Sequence, residues 1–298
     1  MQTRPGEMLT VTTADGRTLT VCEGGDPDGV PIVAHSGTPG SSMLYPPHVT
    51  AAEEAGVRLI SYDRPGYGAS TRMKGRNVAA CAVDVAAICD ALEIGRFCVW
   101  GVSGGGPHAL ATAALLPDRV AAAAVIASVA PYDADGLDFT AGMGEMNVES
   151  FEAVLAGEEA HRAQFQRDLE GMLSSTPETL VEVLLTLLGP ADKAVLDEEL
   201  AAYMIESSRA GIVPSSDGWW DDDLVITKPW GFDLSSIQVP VLYWHGEQDK
   251  FVPFSHGKWL AAHIPGAEAR LTAEDGHLTI LVNRYGEVQS WLLERFND

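Results

Sequence analysis

A serine among glycines is the most chemically suggestive feature of this 298-residue sequence. The stretch GVSGGGPH, residues 101–108, follows FCVW, a run typical of a buried strand, and precedes the helix-like ALATAALL. Glycine-rich turns between a strand and a helix either bind a phosphate through backbone amides or hold a reactive side chain. The turn has no lysine followed by serine or threonine, and the spacing G-x-G-x-x-G does not fit. The spacing G-x-S-x-G does fit, and it predicts Ser103 as a nucleophile.

A serine nucleophile needs a base, and that base needs an orienting carboxylate. We expect His277, in EDGHLTI, to be the base because it follows an apparent strand, ARLTA, and precedes the last helix. For the acid we favour Asp249, which follows the strand-like VPVLYWHG and precedes His277 in the chain. The nearby Glu247 and the more distant Asp133, after the preceding strand, are the alternatives. The order serine, acid, histidine matches one known arrangement of such triads.

The rest of the sequence supplies elements that would bring these residues together. An opening hairpin is predicted over TVTTADGRTLTVCEGG, with its turn at Asp15-Gly16. Short apolar runs then alternate with helical segments: PIVAHSG, VRLISYDRPG, FCVWGVSG, AAAAVIASVAP and VPVLYWHGEQD. This alternation predicts the α/β class, with a mostly parallel sheet covered by helices on both faces. Because ligands bind outside the carboxyl ends of such strands, the residues after each run are where chemistry is expected.

The segment 133–228 breaks the alternation. It contains FEAVLAGEEAHRAQFQRDLEGML, ETLVEVLLTLL and AVLDEELAAYMIESSRAG, which are amphipathic helical patterns without a clear strand between them. We therefore predict a helical cap at 133–228, inserted into a core formed by 1–132 and 229–298. The segment carries 21 Asp and Glu against 5 Lys and Arg, most of the excess behind a net charge of −23. An acidic surface of this kind disfavours nucleic acid and anionic membranes as partners.

Composition narrows the class of protein further. A hydrophobic fraction of 46% is enough for a full core, and no apolar run is long enough to span a bilayer. The N-terminus has no apolar stretch of signal-peptide length, so we expect a cytoplasmic protein. The cysteines show neither a CxxC pair nor a zinc-ligand spacing, which favours buried thiols over disulfides or a metal site: Cys22, Cys81, Cys89 and Cys98.

Together these motifs resemble the α/β-hydrolase family over most of the chain outside the cap. The resemblance rests on HSGTPGSS at 35–42, SYDRPGYGAS at 61–70, GVSGGGPHAL at 101–110, HGEQDKFVP at 245–253 and DGH at 275–277. It implies that backbone amides of Thr38 and Gly104 form an oxyanion hole. This chain departs from the family at that loop, since it has His-Ser-Gly-Thr-Pro where the family usually has His-Gly-x-Pro. The loop at 63–68 is expected to shape the pocket wall.

The resemblance implies a serine hydrolase that works through an acyl-enzyme. Ser103 would attack a carbonyl carbon, His277 would take its proton, and Asp249 would hold the imidazole in the right tautomer. That reaction needs no metal and no organic cofactor, and a small molecule is the expected partner. A serine in place of aspartate as the nucleophile points away from the dehalogenase and epoxide-hydrolase branches.

The expected substrate is a carboxylic ester of small to medium size and largely apolar character. Apolar side chains of the predicted cap are candidates to line its pocket: Met143, Met146, Met172, Met204, Trp219 and Trp220. The acidic cap leaves open an aminopeptidase of the proline-iminopeptidase type, although that branch usually reads HGGPG where this chain reads HSGTPG. Lactone or carbon–carbon bond hydrolysis and perhydrolysis use the same residues. Outside enzymes the alternative is a non-catalytic receptor of this fold, but such receptors commonly lack a triad member.

Overall fold

An eight-stranded sheet forms the centre of the computed structural model, which describes residues 6–297. Its strands are β1 Glu7–Thr12, β2 Thr18–Gly25, β3 Val30–His35, β4 Val57–Tyr62, β5 Phe97–Val102, β6 Val120–Ile126, β7 Val241–Gly246 and β8 Glu268–Thr272. They lie in the order β1-β2-β4-β3-β5-β6-β7-β8. Strand β2 pairs antiparallel with β1 and β4, and every other neighbouring pair is parallel. The predicted α/β class with a mostly parallel sheet is confirmed.

The opening hairpin has the predicted turn. Thr12 of β1 pairs with Thr18 of β2, and the residues between them form the connection. Gly16 lies in that connection with φ +85°, a backbone conformation that glycine adopts without strain. The Asp-Gly pair predicts this turn because Gly16 can adopt the positive φ that the turn requires.

The α-helices of residues 6–297 occur along the whole chain. They are α1 Pro46–Glu54, α2 Cys81–Ala91, α3 Gly106–Leu115, α4 Glu145–Ala156, α5 Glu158–Ser174, α6 Pro177–Val183, α7 Pro190–Val195, α8 Glu198–Ile212, α9 Asp217–Ile226, α10 Phe254–His263, α11 His277–Asn283 and α12 Tyr285–Asn297. Short 3₁₀ turns lie at Val78–Ala80, Ser103–Gly105 and Leu234–Ser236.

Helices cover both faces of the sheet. Val99 of β5 packs into a core with α2, α3 and α10, whereas its neighbours Cys98 and Trp100 pack into a second core with α1 and α12. Successive strand residues point to opposite faces, so a strand covered on both sides must be apolar at every position. This explains the continuous apolar run of β5, all six residues of which are buried.

The segment between β6 and β7 is helical, as its sequence pattern predicts. Its described residues form six α-helices, α4 to α9, and no strand. Two of the expected helical stretches are interrupted. Gly157, with φ +110°, separates α4 from α5, and Asp197 begins α8 by accepting a hydrogen bond from the amide of Leu200 at 2.9 Å. The cap bounds 133–228 remain a prediction.

The four cysteine side chains are buried, as predicted. Among the described residues, no helix is both long enough and apolar enough to cross a bilayer. In the same part of the chain, no cluster of three or more His, Cys, Asp or Glu side chains has a geometry that could hold a metal ion.

Candidate active site

Ser103 stands at the sharp turn between β5 and α3. Its backbone has φ +54°, which side-chain-bearing residues rarely adopt and which costs roughly 1–3 kcal/mol. A β-carbon at Gly101 would lie 2.4 Å from the carbonyl oxygen of Gly105, and one at Gly105 would lie 2.2 Å from that of His35. The turn therefore requires glycine on both sides of the serine, and it presents the Ser103 side chain above the carboxyl end of the sheet.

His277 and Asp249 meet at the same end of the sheet. Asp249 lies in the loop after β7, and His277 is the first residue of α11, which follows β8. The Nδ1 atom of His277 donates to Oδ2 of Asp249 at 2.8 Å, and both side chains are buried. Nδ1 is occupied by the carboxylate, so Nε2 is the ring nitrogen available to a serine hydroxyl. Ser103 and His277 line one cavity.

The two alternative acids lie apart from this pair. Glu247 is exposed at the start of the loop, and Asp133 is exposed beside a different surface cavity that includes Trp259. Asp249 is instead fixed in place, because its Oδ1 atom accepts from the amide of Val252 at 2.8 Å. Its Oδ2 atom also lies 3.4 Å from Nε2 of the buried His245. These contacts aim the Asp249 carboxylate at His277.

The environment of His277 alters its basicity. Burial lowers the pKa of this imidazole, but the charge and the hydrogen bond of Asp249 outweigh burial and raise its pKa above the usual 6.5. Phe251 stacks on the ring with centroids 4.5 Å apart. The imidazole is therefore held between a carboxylate and an aromatic face, as a positioned base requires.

Thr38 and Gly104, the expected oxyanion-hole residues, lie against each other beside Ser103. A β-carbon at Gly104 would lie 2.5 Å from Oγ1 and 3.5 Å from the backbone nitrogen of Thr38. The carbonyl oxygen of Gly104 accepts from Nδ1 of the buried His108 at 3.0 Å. Burial lowers the pKa of His108 to about 3, so this histidine acts as a neutral donor that holds the start of α3.

Comparison with known proteins identifies the family. The family model described as alpha/beta hydrolase fold matches residues 30–284. The non-heme chloroperoxidase of Streptomyces lividans is 30% identical over 275 residues, 90% of this chain and 92% of that protein. The bifunctional esterase/perhydrolase of Acinetobacter calcoaceticus is 28% identical over 82% of this chain and 83% of its own length. The bromoperoxidase structure from Bacillus anthracis covers 98% of this chain and 100% of its own, with a TM-score of 0.70 and 22% identity.

The chain belongs to the alpha/beta hydrolase family. In this hydrolase the loop at 63–68, expected to shape the pocket wall, lines neither of two cavities of the described residues that contain Ser103. Its Arg64 lies behind the loop that contains Thr38 instead and donates to the carbonyl oxygens of Ser36 at 2.6 Å and Gly37 at 3.0 Å. In a trans peptide the carbonyl and the following N–H point in opposite directions. Because Arg64 binds the carbonyl oxygen of Gly37, the N–H of Thr38 points away from the Arg64 side chain.

A buried carboxylate of the hydrolase, Asp222 on α9, joins this loop to the helical insertion. It contacts Nη2 of Arg64 at 2.6 Å and Nη2 of Arg76 at 2.5 Å. It also accepts from the hydroxyls of Tyr67 at 2.9 Å and Thr38 at 2.8 Å. Burial alone would raise the pKa of Asp222, but the two guanidinium groups hold it well below its usual range. Asp222 is therefore a buried anion that compensates two buried cations.

Replacing Asp222 with asparagine will destabilise the fold. The side chains of Arg64 and Arg76 are 2% and 3% exposed, so loss of their partner leaves two buried charges uncompensated. We expect the free energy of unfolding, measured by urea denaturation, to fall by about 3–5 kcal/mol. Asp217→Asn is the matched control, because Asp217 lies on the same helix as Asp222 and forms a half-exposed ion pair with Arg72. Loss of that pair will cost less than about 1 kcal/mol. Equal effects of the two variants would contradict this account of Asp222.

Asp192 of α7, another residue of the insertion, holds the segment of the hydrolase that begins with His277. It is fully buried, and its carboxylate accepts from the amides of His277 at 2.9 Å, Leu278 at 2.8 Å and Thr279 at 3.0 Å. It also accepts from the hydroxyl of Thr279 at 3.0 Å. These are the amides that a helix leaves without partners in its first turn. Asp192 is therefore the cap of the helix that begins with His277.

Replacing Asp192 with alanine will impair catalysis through His277. The loss of four hydrogen bonds at the first turn of α11 allows the imidazole to shift, and a displacement of about 1 Å can cost roughly 100-fold in rate. We expect kcat/KM for a p-nitrophenyl ester to fall about 10- to 100-fold. Asp192→Asn keeps one acceptor oxygen but removes a charge that raises the pKa of His277. The acid limb of the pH–rate profile, where activity rises as His277 loses its proton, will therefore lie at lower pH in this variant.

The control for Asp192 is a helix cap on α8, whose hydrogen bond does not involve the segment that begins with His277. Asp197→Ala removes the equivalent hydrogen bond to Leu200 at the start of α8. It is expected to lower stability without moving the acid limb of the pH–rate profile. A wild-type kcat/KM and pH profile in both Asp192 variants would contradict the positioning role.

Two cavities of the hydrolase adjoin Ser103. The histidine-side cavity, of about 190 Å³, contains His277 and is lined on its apolar walls by Met43, Leu44, Leu59, Trp100 and Leu278. The cap-side cavity, of about 200 Å³, contains Gly104 and is lined by Met146, Phe151, Met172, Leu184, Trp219 and Ile226. Ser103, Thr38 and Phe251 line both. The serine therefore stands where two largely apolar spaces meet.

The apolar side chains expected to line the pocket divide into two groups. Met146, Met172 and Trp219 line the cap-side cavity, and Met204 lines both cavities. Met143 and Trp220 line neither. Met143 is buried in the same core as Val99 of β5, and Trp220 stacks on His161 with ring centroids 3.9 Å apart. Most of the histidine-side lining comes from the core of the hydrolase, outside the helical insertion.

Proposed function

We propose that the protein is a serine hydrolase that cleaves carboxylic esters of small to medium, largely apolar substrates through an acyl-enzyme. One observation carries the proposal. Ser103 stands on a strained turn at the edge of a cavity that it shares with His277, and His277 donates to the buried Asp249 at 2.8 Å. A nucleophile, a base and an orienting acid are the parts that acyl transfer requires.

The reaction follows from these positions. Nε2 of His277 takes the proton of Ser103 as Oγ attacks the ester carbonyl, and Asp249 stabilises the resulting imidazolium. The amides of Thr38 and Gly104 donate to the developing oxyanion, a contribution of roughly 3 kcal/mol per donor in comparable sites. His277 then gives its proton to the leaving alcohol, and a water activated by the same histidine releases the acid. The helical segment 133–228 roofs the cap-side cavity and acts as the cap.

The ester assignment is supported by the apolar walls of both cavities and by the similarity to a bifunctional esterase/perhydrolase. A panel of p-nitrophenyl esters from acetate to decanoate, with a lactone and an assay for peracid formation beside it, tests it. We expect ester hydrolysis to exceed the other reactions. If the protein hydrolyses only the lactone, or only forms peracid, that activity would replace the ester assignment, since those reactions use the same residues.

A second candidate, an aminopeptidase that binds a substrate ammonium, is favoured by one observation. Asp168 and Asp223 line the cap-side cavity together with Ser103. Burial raises the pKa of Asp223 to about 6, and a bound ammonium would restore its charge. Alanine and proline p-nitroanilides test this candidate. Anilide turnover that exceeds ester turnover and is lost in Asp223→Asn would make the protein an aminopeptidase.

A further inference from the structure

A small polar cavity lies between the end of β4, the start of α2 and the start of α3. Its volume is about 10 Å³, which is room for one water molecule and for nothing larger. Four of the side chains that line it are less than a tenth exposed: Tyr62, Arg76, Asp84 and His108. These side chains are therefore shielded from bulk water, and their polar atoms depend on partners inside the protein.

Each of the four side chains has one buried atom without a hydrogen-bond partner among residues 6–297. These atoms are the hydroxyl oxygen of Tyr62, Nε of Arg76, Oδ2 of Asp84 and Nε2 of His108. Other atoms of the same groups are occupied, since Oδ1 of Asp84 pairs with Arg17 at 2.7 Å. Nη2 of Arg76 contacts Asp222 at 2.5 Å. Because an unpartnered buried polar atom destabilises a fold, four of them around one small cavity indicate a bound ligand.

The donors and acceptors around the cavity match those of a water molecule. Nε of Arg76 can only donate. Tyr62 also donates, because burial raises the pKa of its hydroxyl well above the usual value and keeps the proton in place. Oδ2 of Asp84 accepts, and Nε2 of His108 accepts because the neutral ring uses its proton at Nδ1 to bind Gly104. Water has two lone pairs and two hydrogens for these four atoms, whereas a halide or an ammonium ion would satisfy only two of them.

Two of the groups around the cavity lead to the amides that are expected to stabilise the oxyanion. His108 donates to the carbonyl oxygen of Gly104 at 3.0 Å. Arg76 contacts Asp222, which accepts from the hydroxyl of Thr38 at 2.8 Å. We propose that the cavity binds one structural water molecule, which joins these two supports and thereby positions the amides of Gly104 and Thr38. The positioning role rests on the proposed esterase function, whereas the water site does not.

The water acts on Gly104 through the tautomer of His108. A hydrogen donated by the water to Nε2 keeps that nitrogen unprotonated, so the ring proton stays at Nδ1. If the proton moved to Nε2, then Nδ1 and the carbonyl oxygen of Gly104 would both be acceptors, and the contact that holds Gly104 would be lost.

A crystal structure of the wild-type protein, at a resolution that shows ordered water, tests the site directly. We expect one density peak in the cavity, at about 2.6–3.2 Å from each of the four atoms. A cavity without a peak, or direct hydrogen bonds among the four side chains, would overturn the water site.

Tyr62→Phe and Tyr285→Phe form a matched pair that tests the positioning role. Both tyrosines are buried and neither hydroxyl has a partner among the described residues, but Tyr285 is not part of this cavity. Tyr62→Phe removes a hydrogen bond to the water, so we expect the melting temperature to fall by about 3 °C. We expect kcat for p-nitrophenyl butyrate to fall about 3- to 10-fold, with KM unchanged. Tyr285→Phe will keep the wild-type kcat and will not lower the melting temperature.

A trifluoromethyl ketone separates positioning from a general loss of structure, because its adduct with Ser103 has an oxyanion where the transition state has one. In Tyr62→Phe its affinity will fall by the same factor as kcat/KM. Wild-type kcat and inhibitor affinity in this variant, a higher KM with unchanged kcat, or equal losses in both tyrosine variants would overturn the positioning role.

A structure of the wild-type adduct keeps the proposal testable if Tyr62→Phe does not fold. We expect the water in its cavity and the oxyanion within about 2.7–3.1 Å of both amide nitrogens. An adduct that lacks the water would overturn the positioning role. Ser103→Ala tests the esterase proposal separately: loss of all turnover would leave it standing whatever the fate of the water, and retained turnover would overturn it.

Discussion

Replacing Ser103 with alanine will lower kcat/KM for p-nitrophenyl butyrate by at least about 10⁴-fold, because the variant has no oxygen to form the acyl-enzyme. The amides of Thr38 and Gly104 remain, so any residual rate will come from binding and oxyanion stabilisation. The fold will be unaffected, since alanine occupies the same turn with a smaller side chain. Initial rates and circular dichroism on the same preparation measure both effects.

The control for Ser103→Ala is a serine far from the site. Ser290 lies on the exposed side of α12 and donates to the carbonyl of Gly286 at 2.8 Å, so Ser290→Ala will keep wild-type kinetics. A Ser103→Ala protein that retains more than about a tenth of the wild-type rate, with the fold intact, would mean that another group is the nucleophile.

Replacing Asp249 with asparagine will lower kcat by about 10³- to 10⁴-fold and shift the pH dependence. The carboxylate raises the pKa of His277, and activity requires the neutral imidazole, so wild-type kcat/KM will rise with pH through a pKa above 6.5. Without the carboxylate the imidazole loses its proton more easily, so the acid limb of the variant will move to lower pH. The lower rate reflects the loss of tautomer control and of imidazolium stabilisation. A pH–rate profile from pH 5 to 9 measures both quantities.

Glu247 provides the comparison for Asp249. It lies two residues away in the same loop, but its side chain is exposed and forms no hydrogen bond to His277 among the contacts of residues 6–297. Glu247→Gln is therefore expected to keep the wild-type rate within a few fold and to leave the acid limb in place. A collapse of activity in Glu247→Gln, with near-normal activity in Asp249→Asn, would transfer the acid role to Glu247.

The parts of the fold that carry a repeating pattern could be predicted from the sequence. Strands such as β5 are covered by helices on both faces, and this forces an apolar run that can be recognised without a structure. The turn at Gly16 and the serine turn at Ser103 could be located because a positive φ and close backbone contacts restrict the residue types. Local constraints of this kind leave a local signature.

The supports of the candidate site could not be predicted, because they join residues far apart in the chain. Arg64 and Asp222 are 158 residues apart, and Asp192 is 85 residues from His277. Each of these support residues has a charged side chain, and from the sequence alone a charged side chain is expected at the surface. Only the packing of the insertion against the core shows that Asp222 and Asp192 are buried and fully hydrogen-bonded. Trp220 shows the opposite case, since its apolar character suggested a pocket and its ring instead packs on His161.

Covalent labelling of Ser103 tests the central claim most directly. A fluorophosphonate reacts with a serine that a neighbouring histidine activates, and the tryptic peptide 97–119 contains Ser103 as its only serine. We predict one label per molecule on that peptide, a rate at least about 100-fold lower in His277→Ala, and no labelling of the peptide in Ser103→Ala. Failure of the folded wild-type protein to react, or a label on any other peptide, would contradict the assignment of Ser103 as the nucleophile and favour a non-catalytic receptor.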